Sequence, residues 1–179
     1  MNHVIITISG LPGSGTTTAA KLLEKRTDMK FISTGEIFRG LAKEKGFTVE
    51  EFNLHAEGDD KIDRELDENL VEMAKPGCIL EGRLTGYLLY REDIEAYKVW
   101  LHAPDRVRAM RIADREMEGV KEIYDKMKLR EKSEWIRYKQ FYDIDLNDHS
   151  IYDLVIDSSD NTPQEIVERI IEGVKEWSL

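Results

Sequence analysis

The run Gly10-Leu11-Pro12-Gly13-Ser14-Gly15-Thr16-Thr17-Thr18 has the make-up of a loop that wraps a polyphosphate. Glycines at both ends of its Gly-x-x-x-x-Gly frame let the backbone curl, so that successive N–H groups converge on phosphate oxygens. A helix beginning directly after the loop adds the positive end of its dipole. Thr17 stands where this motif, the P-loop, places a hydroxyl ligand for Mg²⁺. One position departs from the pattern. Thr16 stands where lysine is usual, so the β- and γ-phosphates lose a charge-assisted hydrogen bond and another cation must replace it. The loop itself does not say which.

Arginines elsewhere meet that need. Ser33-Thr34-Gly35-Glu36-Ile37-Phe38-Arg39 follows a short apolar run. Ser33 or Thr34 is expected to cap a helix, and Arg39 lies one turn in, within reach of a phosphate. Glu81-Gly82-Arg83 closes another apolar run. Glu81 holds the acidic position that binds Mg²⁺ through water, Gly82 permits close backbone approach, and Arg83 offers a fork for bidentate phosphate binding. Residues 104–139 carry eleven Lys and Arg against eight Asp and Glu, net +3 in a chain of net charge −10. Arg108, Arg111 and Arg115 recur at i, i+3 and i+7, and Arg130, Glu134 and Arg137 at i, i+4 and i+7, with Gly119 between the two groups. Two helices joined at a glycine, each presenting an arginine face, predict a helical lid that closes over phosphates.

These residues need a scaffold, and the apolar pattern supplies one. β-Branched or apolar runs at 4–9, 31–33, 78–81, 98–102 and 154–157 alternate with stretches of helical periodicity. The pattern predicts an α/β fold: a five-stranded parallel sheet with helices on both faces. Its 179 residues, 41% of them apolar, can bury a core. A pI near 5.0 argues against binding nucleic acid or an anionic membrane through bulk charge. Cys78 is the only cysteine, which excludes an intrachain disulfide and a cysteine zinc cluster. No apolar run reaches membrane-spanning length, and the N-terminus lacks the marks of a signal peptide, so the expected setting is the cytoplasm. His55, His102 and His149 are scattered, and no essential general base is expected among the histidines.

Taken together, the 10–18 loop, Ser33 to Arg39, Leu80-Glu81-Gly82-Arg83-Leu84, Arg130 to Lys139 and the Ser150-to-Ile156 run resemble the nucleoside monophosphate kinases, and among them the archaeal-type cytidylate kinases. The resemblance covers nearly the whole chain. Threonine in place of the loop lysine is common in that subfamily, and the adenylate kinase signature Asp-Gly-Phe-Pro-Arg is absent. The resemblance implies a single P-loop kinase domain over residues 1–179, with an acceptor-binding insert at 34–75 and the helical lid at 104–139. It implies transfer of the γ-phosphoryl group of ATP to CMP or dCMP, with Mg²⁺ held by Thr17 and, through water, by Glu81. By carry-over, residues 10–18 with Arg111 and Arg115 bind ATP. Ser33, Thr34, Gly35, Arg39, Gly82 and Arg83 bind the acceptor, and Arg130, Arg137 and Arg83 stabilise the moving phosphoryl group.

Within the insert, residues 44–75 hold eleven acidic side chains against four basic ones. A carboxylate can accept from the cytosine N4 amine, a donor that uracil lacks, which makes Asp60, Asp63 and Arg64 candidates for reading the base. The expected partners are small nucleotides, with no nucleic acid and no membrane, and the expected state is a monomer. AMP, UMP or a non-nucleotide acceptor, and a nucleotide-binding protein without transferase activity, remain as alternatives.

Overall fold

The computed structural model describes residues 3–48, 51, 52, 55 and 60–178. Five strands, β1 (Ile6–Gly10), β2 (Lys30–Ser33), β3 (Cys78–Glu81), β4 (Tyr97–His102) and β5 (Leu154–Asp157), form one parallel sheet in the order β2-β3-β1-β4-β5. Each expected strand is found within two residues of its expected ends. Strand β1 is buried along its whole length, which is why its sequence is a continuous β-branched run and not an alternating one.

Seven described helices connect and cover the strands: α1 (Thr16–Thr27), α2 (Thr34–Glu44), α3 (Asp60–Met73), α4 (Thr85–Arg91), α5 (Asp105–Glu116), α6 (Val120–Tyr142) and α7 (Pro163–Trp177). Helix α7 starts sharply. Thr162 and Glu165 satisfy each other's backbone N–H groups in a capping box, and Pro163 occupies the first turn, where a missing N–H costs nothing. On one face of the sheet, Ala19, Ala20 and Leu23 of α1 and Ile166, Val167 and Ile170 of α7 pack on Ile6, Ile8, Val99 and Leu101. On the other face, Leu70, Leu84, Leu88, Leu89 and Tyr138 pack on Ile5, Ile32 and Leu80. Helices therefore cover both faces, as the apolar pattern predicts.

Helices α5 and α6 form a hairpin with a small core of its own: Ala109, Ile112, Ala113, Ile123 and Met127. The chain turns at Met117, in left-handed conformation, and α6 begins after Gly119. The hairpin runs to Tyr142, slightly past the expected end at 139. Among the described residues, no helix is long and apolar enough to cross a membrane.

The parallel register brings the carboxyl ends of β1, β2 and β3 side by side, with Ile8 and Ser33 both opposite Glu81. Open α/β sheets bind ligands outside that edge.

Candidate functional site

A cleft of about 720 Å³ opens at the carboxyl edge of the sheet. Its lining brings together the 10–18 loop, Ser33, Thr34, Gly35 and Arg39, then Glu81, Gly82 and Arg83, and, from the hairpin, Arg111, Arg115, Arg130 and Arg137. Residues more than a hundred positions apart thus share one space, as their chemistry predicts. Asp63 is the exception. It falls within α3, but its side chain, like that of Asp60, lies outside the described residues. Arg64 is exposed and does not line the cleft. No described histidine lines it either.

The loop takes its shape from two glycines. Gly13 has φ 81°, and a Cβ there would stand 2.7 Å from the Arg108 carbonyl oxygen. Gly15 has φ 93°, caps the start of α1, and faces open space where a side chain would project. The cap makes no side-chain hydrogen bond and the first turn of α1 carries no acid, so the N–H groups there keep their capacity for an anion.

Glu81 gathers hydroxyls from the start of α1 and the end of β2. Its Oε1 accepts from Thr16 Oγ1 at 2.7 Å and from Thr17 Oγ1 at 3.1 Å, and its Oε2 accepts from Ser33 Oγ at 2.7 Å. Thr34 Oγ1 donates to the Glu81 carbonyl at 3.1 Å. The expectation that Ser33 or Thr34 would cap α2 is corrected here. Ser33 does stand at the N-cap, but its side chain accepts from no helix N–H: the Ser33 hydroxyl is turned to donate to the Glu81 carboxylate and the Thr34 hydroxyl to donate to the Glu81 carbonyl. Thr16 likewise supplies a hydroxyl to Glu81 and no charge to the loop. The donors at this point are all oxygen, one carboxylate with hydroxyls. Among the described residues no trio of His, Cys, Asp or Glu forms a metal cluster. Such a sparse oxygen set suits Mg²⁺, which keeps several waters and takes its other ligands from phosphates.

The arginines of the hairpin divide into different kinds. Arg108, expected on a face presented to phosphates, is 1% exposed. Its Nε donates to the Ala103 carbonyl at 3.1 Å and Nη1 to the Pro12 carbonyl at 3.0 Å, while Asp105 and Glu131 supply carboxylates. Burial pulls its pKa down, but the two carboxylates outweigh that and hold it above the ordinary value. Arg108 is therefore committed to holding the loop against the hairpin, and it is not a free cation. Arg111 donates to the Gly13 carbonyl at 3.4 Å and to Ser158, whose own hydroxyl donates to the Ser14 carbonyl at 2.7 Å. Arg115 is exposed beside Glu116.

Beside the end of β3, Glu134 of α6 contacts both Arg83 and Arg130. Burial acts to lower the Arg83 pKa, but Glu134 and the Tyr138 hydroxyl raise it above its ordinary value, so Arg83 is a fixed cation. Asp67 lines the same cleft and accepts from the Tyr142 hydroxyl at 2.5 Å. Sequence reasoning missed Glu134, Asp67, Tyr142 and Ser158 as members of the site. Two of them had a signal: Asp67 lies one helical turn beyond Asp63, and Glu134 shares the spacing of Arg130 and Arg137.

The model of the cytidylate kinase-like family matches residues 5–160. A cytidylate kinase from Methanococcus maripaludis is 46% identical over 177 residues, spanning 96% of this chain and 99% of that protein. A cytidylate kinase from Pyrococcus horikoshii is 46% identical over 164 residues, spanning 91% of this chain and 84% of that one. The crystal structure of shikimate kinase from Aquifex aeolicus is similar with a TM-score of 0.64 at 17% identity, over 98% of this chain and 99% of that one, a likeness of fold alone.

Proposed function

The chain belongs to the cytidylate kinase-like family, and on that premise we propose that it transfers the γ-phosphoryl group of ATP to CMP or dCMP, giving the diphosphate and ADP. The observation that carries this reading is the cleft in which a phosphate loop, two strand-end arginines and hairpin arginines converge. Phosphoryl transfer asks a protein for positioning and charge stabilisation more than for covalent participation, and this inventory offers those two things.

On this reading the backbone N–H groups of residues 10–18 and the start of α1, with Arg111 and Arg115, hold the donor phosphates. Ser33, Thr34, Gly35, Arg39, Gly82 and Arg83 hold the acceptor, with Asp63 a candidate at its base. An oxygen of the acceptor phosphate bonds to the γ-phosphorus as the bond from that phosphorus to the β–γ bridging oxygen breaks, and the leaving group is ADP. The attacking oxygen is already anionic, so no histidine is required as base. Arg130, Arg137 and Arg83 neutralise charge on the moving group. Thr17, and Glu81 through water, would hold Mg²⁺, which supplies charge neutralisation between the β- and γ-phosphates. Residues 104–139 act as the lid and 34–75 as the acceptor insert of a single domain over residues 1–179. The protein acts as a cytoplasmic monomer.

ADP release measured over a panel of monophosphates tests this. CMP and dCMP are the expected acceptors, with AMP and UMP turned over far more slowly. Rapid turnover of AMP with none on CMP overturns the choice of acceptor.

A further inference from the structure

Helix α6 buries an anion in a cleft otherwise suited to receiving anions. The Glu134 side chain is 6% exposed and lines the same cleft as Arg83, Arg130 and Arg137. A carboxylate at this place repels phosphates, so it does not act as a ligand for them. Its partners indicate its use. Oε1 accepts from Arg83, at the end of β3, and from Arg130 Nε at 2.9 Å, four residues back on α6. One oxygen therefore ties an arginine of the sheet edge to an arginine of the hairpin. Oε2 is buried and has no hydrogen-bond partner.

We propose that Glu134 is a positioning residue, which holds the guanidiniums of Arg83 and Arg130 side by side at the cleft before substrates arrive. Two guanidiniums drawn to one phosphoryl group repel each other and have many rotamers. A shared carboxylate cancels part of that repulsion and removes rotamers from both. Each arginine keeps further N–H donors on its fork for phosphate oxygens. The arrangement is preorganised, so stabilising the moving charge requires no rearrangement at the moment of transfer. The role of Glu134 rests on the phosphotransferase reading above. It differs from that of a latch that merely masks Arg83 until a phosphate displaces it, because a latch acts on binding and a positioning residue acts on transfer.

The test compares wild type, Glu134→Gln and Glu134→Asp for kcat, for KM of each substrate, and for melting temperature. Glu134→Gln removes the charge and is expected to lower kcat about 30- to 100-fold, the scale of a misplaced catalytic group, while both KM values stay within about threefold. Glu134→Asp keeps the charge on a shorter stem and recovers part of the loss. Should the glutamine variant fail to fold, the aspartate variant carries the same test: reduced kcat at unchanged KM supports the proposal. A lower KM for CMP with kcat unchanged overturns it in favour of a latch. Unchanged kinetics overturn it, as does a loss of kcat that follows only the loss of folded protein. Wild type serves as the separate control on the reading itself. Turnover of a different monophosphate overturns the acceptor choice, and the variants are then compared on that acceptor. A wild type that phosphorylates no monophosphate overturns both.

Discussion

On the floor of the cleft, the phosphate loop meets Glu81 through hydroxyls alone; along the helical wall, Arg108, Arg115 and Arg130 are each bound up with at least one carboxylate and Arg137 lies beside an aromatic ring. The floor is shaped by backbone and glycine geometry, so its N–H groups hold their directions without any side-chain charge. The wall is shaped by ion pairs that fix long side chains. The difference shows where a loop lacking its lysine can find positive charge. Thr16 turns to Glu81, and the cations nearest the loop, Arg108 and Arg111, both belong to α5. Of these two, Arg108 is held by its carboxylates and serves as a brace. The positive charge at the loop thus sits on the hairpin packed against the sheet and not on the loop itself.

The largest effect expected from breaking this division comes from the wall. Arg137→Ala and Arg83→Ala are each expected to lower kcat about a thousandfold, the scale on which an arginine stabilises transferring phosphoryl charge. Far-UV circular dichroism should show the fold retained. Turnover like that of wild type in both variants rejects the assignment.

A smaller effect sharpens the comparison from the floor. Thr16→Lys restores the residue type usual in phosphate loops, yet it is expected to lower kcat about tenfold instead of raising it. Thr16 is 9% exposed and its hydroxyl lies 2.7 Å from Glu81, so a lysine there places its ammonium against that carboxylate. The charge-assisted pair displaces weaker hydroxyl bonds and draws Glu81 away from Thr17. Kinetics with a Mg²⁺ titration measure this: a raised Mg²⁺ requirement is expected, and a gain in kcat shows that the loop simply lacked its lysine.

The elements and the loop were legible because their signals are local. A β-branched run, a glycine frame and an arginine spacing each lie within a few residues. What was not legible depends on partners far away in sequence. The spacing of Arg108, Arg111 and Arg115 says which residues share a helix side, but not what lies over that side. For Arg108 it is the Pro12 carbonyl and Glu131, 96 and 23 residues away. Glu134 reads in sequence as the middle of an i, i+4 surface pair with Arg130, and only the end of β3 turns that pair into a bridge. Ser33 carries a sound helix-capping signal and stands at the N-cap, but its side chain is turned to a buried carboxylate 48 residues away.

The smallest effect concerns how the wall is fastened. Asp105 opens α5, where a negative charge also suits the helix dipole. It accepts from Lys128 of α6 at 2.8 Å and from Arg108 at 2.6 Å. The Lys128 hydrogen bond, helped by Arg108 and opposed by partial burial, holds its carboxyl below the ordinary value of 3.8. The folded protein therefore takes up this proton less readily than the unfolded chain. The stability Asp105 contributes is complete above that ordinary value and is lost as pH falls through the lower folded one. Its side chain is 40% exposed, so after solvent screening the contribution is about 0.5 kcal/mol. Urea unfolding of wild type and Asp105→Asn from pH 6 to pH 3, followed by tryptophan fluorescence, isolates this term. Wild type should be the more stable at pH 6, with the gap closing in acid. A gap that does not change with pH means that Asp105 fastens the hairpin by shape and not by charge, and the wall then resembles the floor more closely than its ion pairs suggest.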